Sequence, residues 1–167
     1  MDVRPAETEG EIEEVRRLFR SFLSWHRQRH TEDLALIEAY FDDAAYDTEI
    51  EGLPGAYAPP DGALLVCWES GLALGTVALK RRDEESCEMK RMFVPAMARG
   101  RGAGRALAEA VIARARAAGY RRMYLDTSVR QTEAIALYRD LGFEEVEPYD
   151  EVPEKLLGWL AFYRLDL

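Results

Sequence analysis

The chain has 167 residues, 48% of them hydrophobic and 32% charged, which fits a single folded domain over residues 1–167 and excludes a disordered or fibrous chain. Its formal net charge of −9 argues against a protein whose main role is to neutralise a nucleic-acid backbone. Its start has no apolar leader and no apolar run approaches the roughly 20 residues of a membrane span, so we expect a cytoplasmic protein without a membrane partner.

The first predicted elements are a short strand over residues 3–6 and a helix. Thr8, followed three residues later by Glu11, forms a capping box that marks the start of this helix. Its predicted buried face consists of Ile12, Val15, Leu18, Phe19, Phe22 and Leu23. A second helix is predicted over residues 32–46, before a loop rich in turn formers.

His26 and His30 are four residues apart and therefore lie on one face of the first helix. Two imidazoles at this spacing can begin a metal site, but no third ligand accompanies them. We expect both to be solvated, and we expect no bound metal.

Three strands follow in the middle of the chain. Residues 63–69 and 72–82 are separated by Ser70 and Gly71, which predicts a hairpin, and a third strand over residues 87–94 stops at a proline. Consecutive strands of this kind pair antiparallel. Cys67 and Cys87 lie in these strands without the spacing of a metal or redox pair, so they are interpreted as small buried hydrophobes.

Helices and strands alternate in the last third of the chain. Helices are predicted over residues 102–118 and 131–141, and strands over 121–128, 143–149 and 157–167. The fold is therefore predicted to be mixed α/β on a central sheet.

The junction between the third strand and the following helix is rich in glycine and arginine. It consists of Arg99, Gly100, Arg101, Gly102, Ala103, Gly104 and Arg105. The first turn of a helix has unpaired N–H groups and the positive end of the helix dipole, and glycines let a phosphate oxygen approach them closely. The junction predicts a phosphate or pyrophosphate site; a tight turn with solvated arginines remains the alternative.

Two known phosphate-binding motifs do not fit this junction. A P-loop needs Gly-Lys followed by Ser or Thr, whereas Gly104 is followed by Arg105 and Ala106. A dinucleotide fingerprint needs a third glycine three positions after the second. This glycine is missing whether the motif is counted from the first or from the second glycine of the junction.

The junction resembles the acetyl-CoA-binding motif of the GNAT superfamily of N-acetyltransferases. The stretch "VPAMARGRGAGRAL" matches this motif through Arg99, Gly102 and Gly104. The stretch "QTEAIALYRDLGF" is similar to the second motif of the family, with Gln131 in the place of the usual Asn. The matching residues there are Ala134, Leu137, Tyr138, Gly142 and Phe143.

The resemblance implies a GNAT-like α/β fold with a mixed sheet of six to seven strands, flanked by about four helices and splayed between the fourth and fifth strands. It also implies that Met92, Phe93 and Val94 bond the pantetheine arm, although burial at a strand end would explain the same residues. The resemblance also implies that the cofactor is bound by Arg99, Gly100, Arg101, Gly102, Ala103, Gly104, Arg105 and Gln131.

Two catalytic roles follow from the same resemblance. Tyr138 is expected to direct its hydroxyl at the coenzyme sulfur and to protonate the leaving thiolate, the alternative being a core tyrosine. Glu88 is the candidate proton acceptor, because strand parity places it on one face with Lys90, Met92 and Val94 unless a bulge intervenes. Pairing of Glu88 with Lys90 or an arginine is the alternative, and Asp126 and Glu49 are weaker candidates.

The predicted function is transfer of an acetyl group from acetyl-CoA, as cosubstrate, to a primary amine of a small molecule or peptide, by direct attack in a ternary complex. The alternative is a non-catalytic acyl-CoA-binding regulatory module. A nucleic-acid partner is not expected. The apolar last strand could extend a sheet across two chains, so a homodimer is an open expectation. Acidic residues near one loop favour a cationic acceptor, namely Asp42, Asp43, Asp47 and Glu49.

Overall fold

The structure is a computed structural model that describes all of residues 1–167. Its strands are β1 (Asp2–Pro5), β2 (Ala63–Glu69), β3 (Leu72–Arg81), β4 (Ser86–Phe93), β5 (Arg122–Ser128), β6 (Glu144–Val146) and β7 (Leu160–Asp166). Its helices are α1 (Glu9–Arg29), α2 (Leu34–Tyr40), α3 (Asp43–Glu51), α4 (Ala103–Ala117) and α5 (Thr132–Asp140).

The seven strands form one mixed sheet in the order β1-β2-β3-β4-β5-β7-β6. All neighbouring strands pair antiparallel except β4 and β5, which pair parallel. The predicted hairpin is confirmed, and Ser70 and Gly71 both adopt positive φ at its turn. The α/β class and the sheet of six to seven strands are confirmed.

Two apolar cores cover the two faces of the sheet. Helices α4 and α5 pack on one face, where Leu107 and Val111 are fully buried. Helices α1, α2 and α3 pack on the other face around Phe19 and Ile37. The predicted apolar stripe of α1 is confirmed, since all six of its residues are buried in this second core.

The start of α1 has the predicted capping box. Thr8 Oγ1 accepts the N–H of Glu11 at 3.3 Å, and Glu11 Oε2 accepts the N–H of Thr8 at 3.1 Å. Two of the unpaired N–H groups at the helix start are thereby satisfied.

The single helix predicted over residues 32–46 is wrong. α2 ends at Tyr40, Phe41 has a non-helical ψ of 85°, and α3 begins after Asp42. The Asp42 carboxylate accepts the N–H of Ala45 at 2.8 Å, so it caps a new helix instead of continuing the old one. The chain therefore has five helices where about four were expected.

Strand β4 separates from β5 after a short paired segment. The parallel pairing covers Ser86 to Glu88 of β4, and residues 89–93 have no partner in β5. The register of β3 against β4 shifts here, since Ala78 lies opposite Lys90 but Thr76 lies opposite Phe93. The extra residue forms a bulge at Arg91, whose φ is +54°. A bulge bends its strand, and the predicted splay between β4 and β5 follows from it.

Both cysteines are fully buried and free, as expected for small core residues. None of the helices combines the length and the apolar character that crossing a bilayer requires.

Candidate active site

Two connected cavities open where β4 and β5 separate. Phe22, Met92, Gln131 and Ala134 belong to the walls of both. The outer cleft is also lined by Trp25, Phe93, Val94, Ala98, Arg99, Gly100, Gly102, Ala103, Gly104, Glu133 and Leu137. The inner cavity is also lined by His26, Tyr40, Phe41, Met89, Lys90, Arg91, Leu125, Asp126, Thr127, Ser128, Tyr138, Trp159 and Leu160.

The start of α4 forms the floor of the outer cleft. Gly102 has a φ of +86° at the N-cap, a backbone conformation that suits glycine, and no side chain caps this helix. The backbone N–H groups of residues 100–105 donate to no protein acceptor. A row of unpaired donors at a helix start is suited to bind an anion, and this fits the diphosphate of a coenzyme.

The arginines of the junction frame this helix start. Arg99 Nε donates to the Val94 carbonyl at 3.0 Å, and its guanidinium lies 4.4 Å from the ring centre of Trp25. Arg101 pairs with Glu69 and Arg105 with Asp140 at the exposed surface. Exposed ion pairs of this kind contribute little stability. Of the three arginines, Arg99 lines the outer cleft, and Arg101 and Arg105 lie outside its lining.

The predicted pantetheine-binding residues Met92, Phe93 and Val94 all line the outer cleft. Met92 and Phe93 are the last residues of β4 beyond the bulge, where the strand has left β5, and Val94 follows them. The structure thus brings them together with the glycine-rich helix start.

Tyr138 lines the inner cavity. Its side chain is 6% exposed, and its hydroxyl makes no hydrogen bond to the protein. Burial, together with the nearby charge of Asp126, raises the pKa of Tyr138 above its ordinary value. The phenol therefore stays protonated at neutral pH and is available as a hydrogen-bond donor.

Gln131 is held by a contact that the sequence did not predict. Its Nε2 lies 2.9 Å from Nε2 of His26 on α1. Burial, with a smaller effect of His30, lowers the pKa of His26 to about 4, so the ring is neutral at pH 7 and can accept the amide proton. The prediction that His26 and His30 are solvated is wrong, since they are 2% and 7% exposed.

The candidate proton acceptors occupy different environments. Glu88 is buried and lies 3.2 Å from Lys90 Nζ and 3.5 Å from Arg82 Nη1, and it lines neither cavity. Asp126 lies on the wall of the inner cavity, where its Oδ1 accepts the hydroxyl proton of Tyr40 at 2.9 Å. No cation lies within 4.0 Å of Asp126.

The third acid, Glu49, has a structural partner. Its carboxylate accepts two hydrogen bonds from Arg91, at 2.8 and 3.1 Å. The guanidinium of Arg91 also lies over the rings of Phe41 and Tyr46. Burial alone would raise the pKa of Glu49, but the bonds from Arg91 outweigh it and hold the pKa below its ordinary value. This pair ties α3 to the bulged residue of β4.

The parity argument for Glu88 depended on a regular strand. The bulge at Arg91 reverses the alternation, so Met92 packs on the core of α4 and α5 and Phe93 on the opposite core. Sequence analysis missed His26, Lys90 and Trp159 as cavity residues. His26 continues the apolar spacing of α1 after Phe22, and this signal could have identified it.

A splayed mixed sheet over a glycine-rich helix start is the fold that the two sequence motifs implied. The model of the acetyltransferase (GNAT) family matches residues 12–143, and the chain belongs to this family. The resemblance noted from the two sequence motifs is thereby confirmed.

Relatives in other organisms agree with this family. The chain is 38% identical over 109 residues to an uncharacterized N-acetyltransferase of Schizosaccharomyces pombe, an alignment that covers 64% of this chain and 67% of the relative. It is 43% identical over 93 residues to an IAA acetyltransferase of Azospirillum brasilense, covering 55% of this chain and 61% of the relative. The chain thus spans about two thirds or less of the length of these relatives.

Solved structures share the fold. An acetyltransferase of the GNAT family from Staphylococcus aureus matches 99% of this chain and 98% of its own with a TM-score of 0.76 at 20% identity. A GNAT family acetyltransferase from Elizabethkingia anophelis with acetyl-CoA bound matches 64% of this chain and 77% of its own, with a TM-score of 0.54 at 22% identity.

Proposed function

We propose that this chain is an acetyl-CoA-dependent N-acetyltransferase that moves an acetyl group to the primary amine of a small molecule or peptide, with residues 1–167 acting as one domain. The observation that carries the proposal is the row of unpaired N–H groups at residues 100–105, which opens into the same cleft that leads to Tyr138 and Asp126.

The outer cleft fits the cosubstrate. The N–H groups at the start of α4 bind the diphosphate, and Arg99, Arg101 and Arg105 add positive charge around it. Met92, Phe93 and Val94 hold the pantetheine arm along the free edge of β4. Gln131, fixed by His26, lies on the wall where the two cavities meet. Acetyl-CoA supplies the thioester carbonyl that the amine attacks.

The amine must lose a proton before it can attack. A lysine-like amine has a pKa of about 10.4, so producing its neutral form at pH 7 costs about 4.6 kcal/mol. Asp126 lies on the wall of the inner cavity and forms no ion pair within 4.0 Å, and it accepts this proton directly or through water. Glu88 was the first candidate from the sequence, but two cations already neutralise it away from the cavity.

The leaving thiolate must gain a proton. Tyr138 lines the inner cavity and its raised pKa keeps the phenol protonated, so it stabilises the developing thiolate by donating a hydrogen bond. A proton that passes from the phenol to the thiolate is replaced by the one that the nitrogen of the attacking amine loses. No residue of the chain needs to carry the acetyl group. Cys87, a conceivable nucleophile, is fully buried, and burial raises its pKa to about 12.

The test is release of free thiol from acetyl-CoA in the presence of a broad panel of amines and peptides. We expect turnover with the native chain, a loss of at least tenfold in Tyr138→Phe with retained CoA affinity, and no loss in Tyr120→Phe. Tyr120 is a matched control because its hydroxyl bonds the Asp61 carbonyl outside the site. CoA binding without thiol release for any amine would instead establish the regulatory acyl-CoA-binding module, and absence of CoA binding would refute both.

A further inference from the structure

The inner cavity has a rigid aromatic wall. Tyr40 packs edge-on against Phe41, with ring centres 4.7 Å apart, and against Trp159 at 6.2 Å. The rings of Phe22 and Phe41 also pack edge-on, with ring centres 5.9 Å apart. Trp159 Nε1 donates to buried Asp33 at 3.2 Å, which fixes the orientation of the indole. These rings present an apolar surface suited to an aromatic or branched aliphatic group.

The charges on this wall do not cancel. Lys90 is paired with Glu88 at 3.2 Å, and Arg91 is paired with Glu49 through two hydrogen bonds. Asp126 forms no ion pair within 4.0 Å, and Lys90 on the same wall interacts with its charge only at longer range. Each cation of the wall thus has a nearer acid outside the cavity, and Asp126 is the acid of the wall that no ion pair engages.

Several polar groups of the wall are engaged within the protein. The Tyr40 hydroxyl is bonded to Asp126, Ser128 Oγ accepts the N–H of Arg130 at 3.1 Å, and Gln131 contacts His26. The wall leaves few polar groups for a ligand, among them the Tyr138 hydroxyl and Asp126 Oδ2, so a ligand with many hydroxyl groups would lose more hydrogen bonds to water than it gains.

We propose that the acceptor is a small primary amine of the arylalkylamine type: an ammonium group one or two methylenes away from an aromatic or branched aliphatic body, without a carboxylate or phosphate. The inference rests on the proposed function. The ammonium pairs with Asp126, and the apolar body lies against Tyr40, Phe41 and Trp159. A carboxylate beside the amine is rejected because it would meet Asp126 with no free cation to balance it.

The experiment compares kcat/KM for three amines at saturating acetyl-CoA. Phenethylamine and phenylalanine differ by one carboxylate, and ethanolamine replaces the aromatic body by a hydroxyl. We expect phenethylamine to exceed each of the others at least tenfold. An equal or higher value for phenylalanine or ethanolamine overturns the inference while leaving the proposed function intact. Absence of thiol release with any amine of the broad panel would instead contradict the proposed function itself.

Two variants test the charge argument independently of overall rate. Glu49→Gln and Glu88→Gln each release one cation on the cavity wall, so the preference for phenethylamine over phenylalanine should fall several-fold in each. The matched control is Glu51→Gln, an exposed acid paired with Arg20, which should leave the ratio unchanged. If Glu49→Gln does not fold, the measurement on Glu88→Gln still tests the charge argument. If the ratio of kcat/KM for phenethylamine to that for phenylalanine is unchanged in the folded variants, the pairing of Lys90 and Arg91 does not determine the preference against a carboxylate.

Discussion

The hydroxyl of Tyr40 donates a 2.9 Å hydrogen bond to Asp126 Oδ1 and so joins α2 to β5 across the inner cavity. The second carboxylate oxygen, Oδ2, has no protein donor. Burial raises the pKa of Tyr40 to about 12, so the phenol remains a donor throughout the neutral range. This arrangement orients Asp126 and leaves lone pairs available for an incoming amine.

We predict that Asp126→Asn lowers kcat/KM for the acceptor by about 10²- to 10⁴-fold, the usual contribution of a positioned proton acceptor. The affinity for CoA, measured by calorimetry, should stay within about twofold, since Asp126 does not line the outer cleft. Asp47→Asn is the matched control, because Asp47 is exposed on α3.

Glu88→Gln distinguishes the two acids. We expect turnover of phenethylamine to fall less than tenfold in Glu88→Gln. A large loss in Glu88→Gln together with near-native activity in Asp126→Asn would return the role of proton acceptor to Glu88.

We predict that Gly104→Val lowers the affinity for CoA at least tenfold. A Cβ at this position has room within the protein, with its nearest contacts at 3.8 and 3.9 Å, so the branched side chain would occupy the outer cleft instead of disrupting the core. Gly10→Val is the control, because Gly10 lies in the first turn of α1 with open space around it. Equal CoA affinity in both variants would argue against close approach of the diphosphate to Gly104.

We predict that buried His26 makes stability fall between pH 7 and pH 5. Its pKa is about 4 in the folded chain and about 6.5 in the unfolded chain, so below pH 6.5 the unfolded chain binds a proton that the folded chain does not. The loss is about 2 kcal/mol at pH 5. Urea unfolding at both pH values should show a smaller loss in His26→Gln, and parallel curves for the two proteins would contradict the buried neutral imidazole.

We predict that Glu49→Gln destabilises the chain by about 2 kcal/mol. The variant leaves the Arg91 guanidinium, 12% exposed, without its counter-charge; fully buried pairs lose more when broken, and the partial exposure of Glu49 reduces the effect. Urea unfolding at pH 7 measures it, with Glu51→Gln as the exposed comparison. A change below about 0.5 kcal/mol would show that the pair does not hold the bulge of β4.

Much of the fold could be predicted because periodicity and caps are local signals. The capping box at Thr8, the hairpin at Ser70 and Gly71, and the alternation after Pro95 each depend on neighbouring residues. The break after Tyr40 was missed because the apolar spacing continues across it. Asp42 provided the opposing signal, an N-cap residue whose carboxylate accepts the N–H of Ala45.

The candidate site was predictable where a motif encodes backbone geometry, as at Gly102 and Gly104. Residues whose positions depend on long-range packing were not. The bulge at Arg91 is tied to Glu49, 42 residues earlier, and the contact of His26 with Gln131 spans 105 residues. Sequence patterns do not reveal such long-range pairs, so the shared face of Glu88 and Met92 and the solvation of the two histidines were predicted wrongly. The alternative for Glu88, pairing with Lys90 or an arginine, is confirmed.

The central claim is that the N–H groups at the start of α4 bind the diphosphate of CoA. An amide-resolved NMR titration of the chain with CoA tests it most directly. We expect the largest chemical-shift changes at the amides of residues 100–105, and we expect these changes to saturate together. Saturable binding of CoA that leaves these six amides unchanged, or no binding at all, would contradict it.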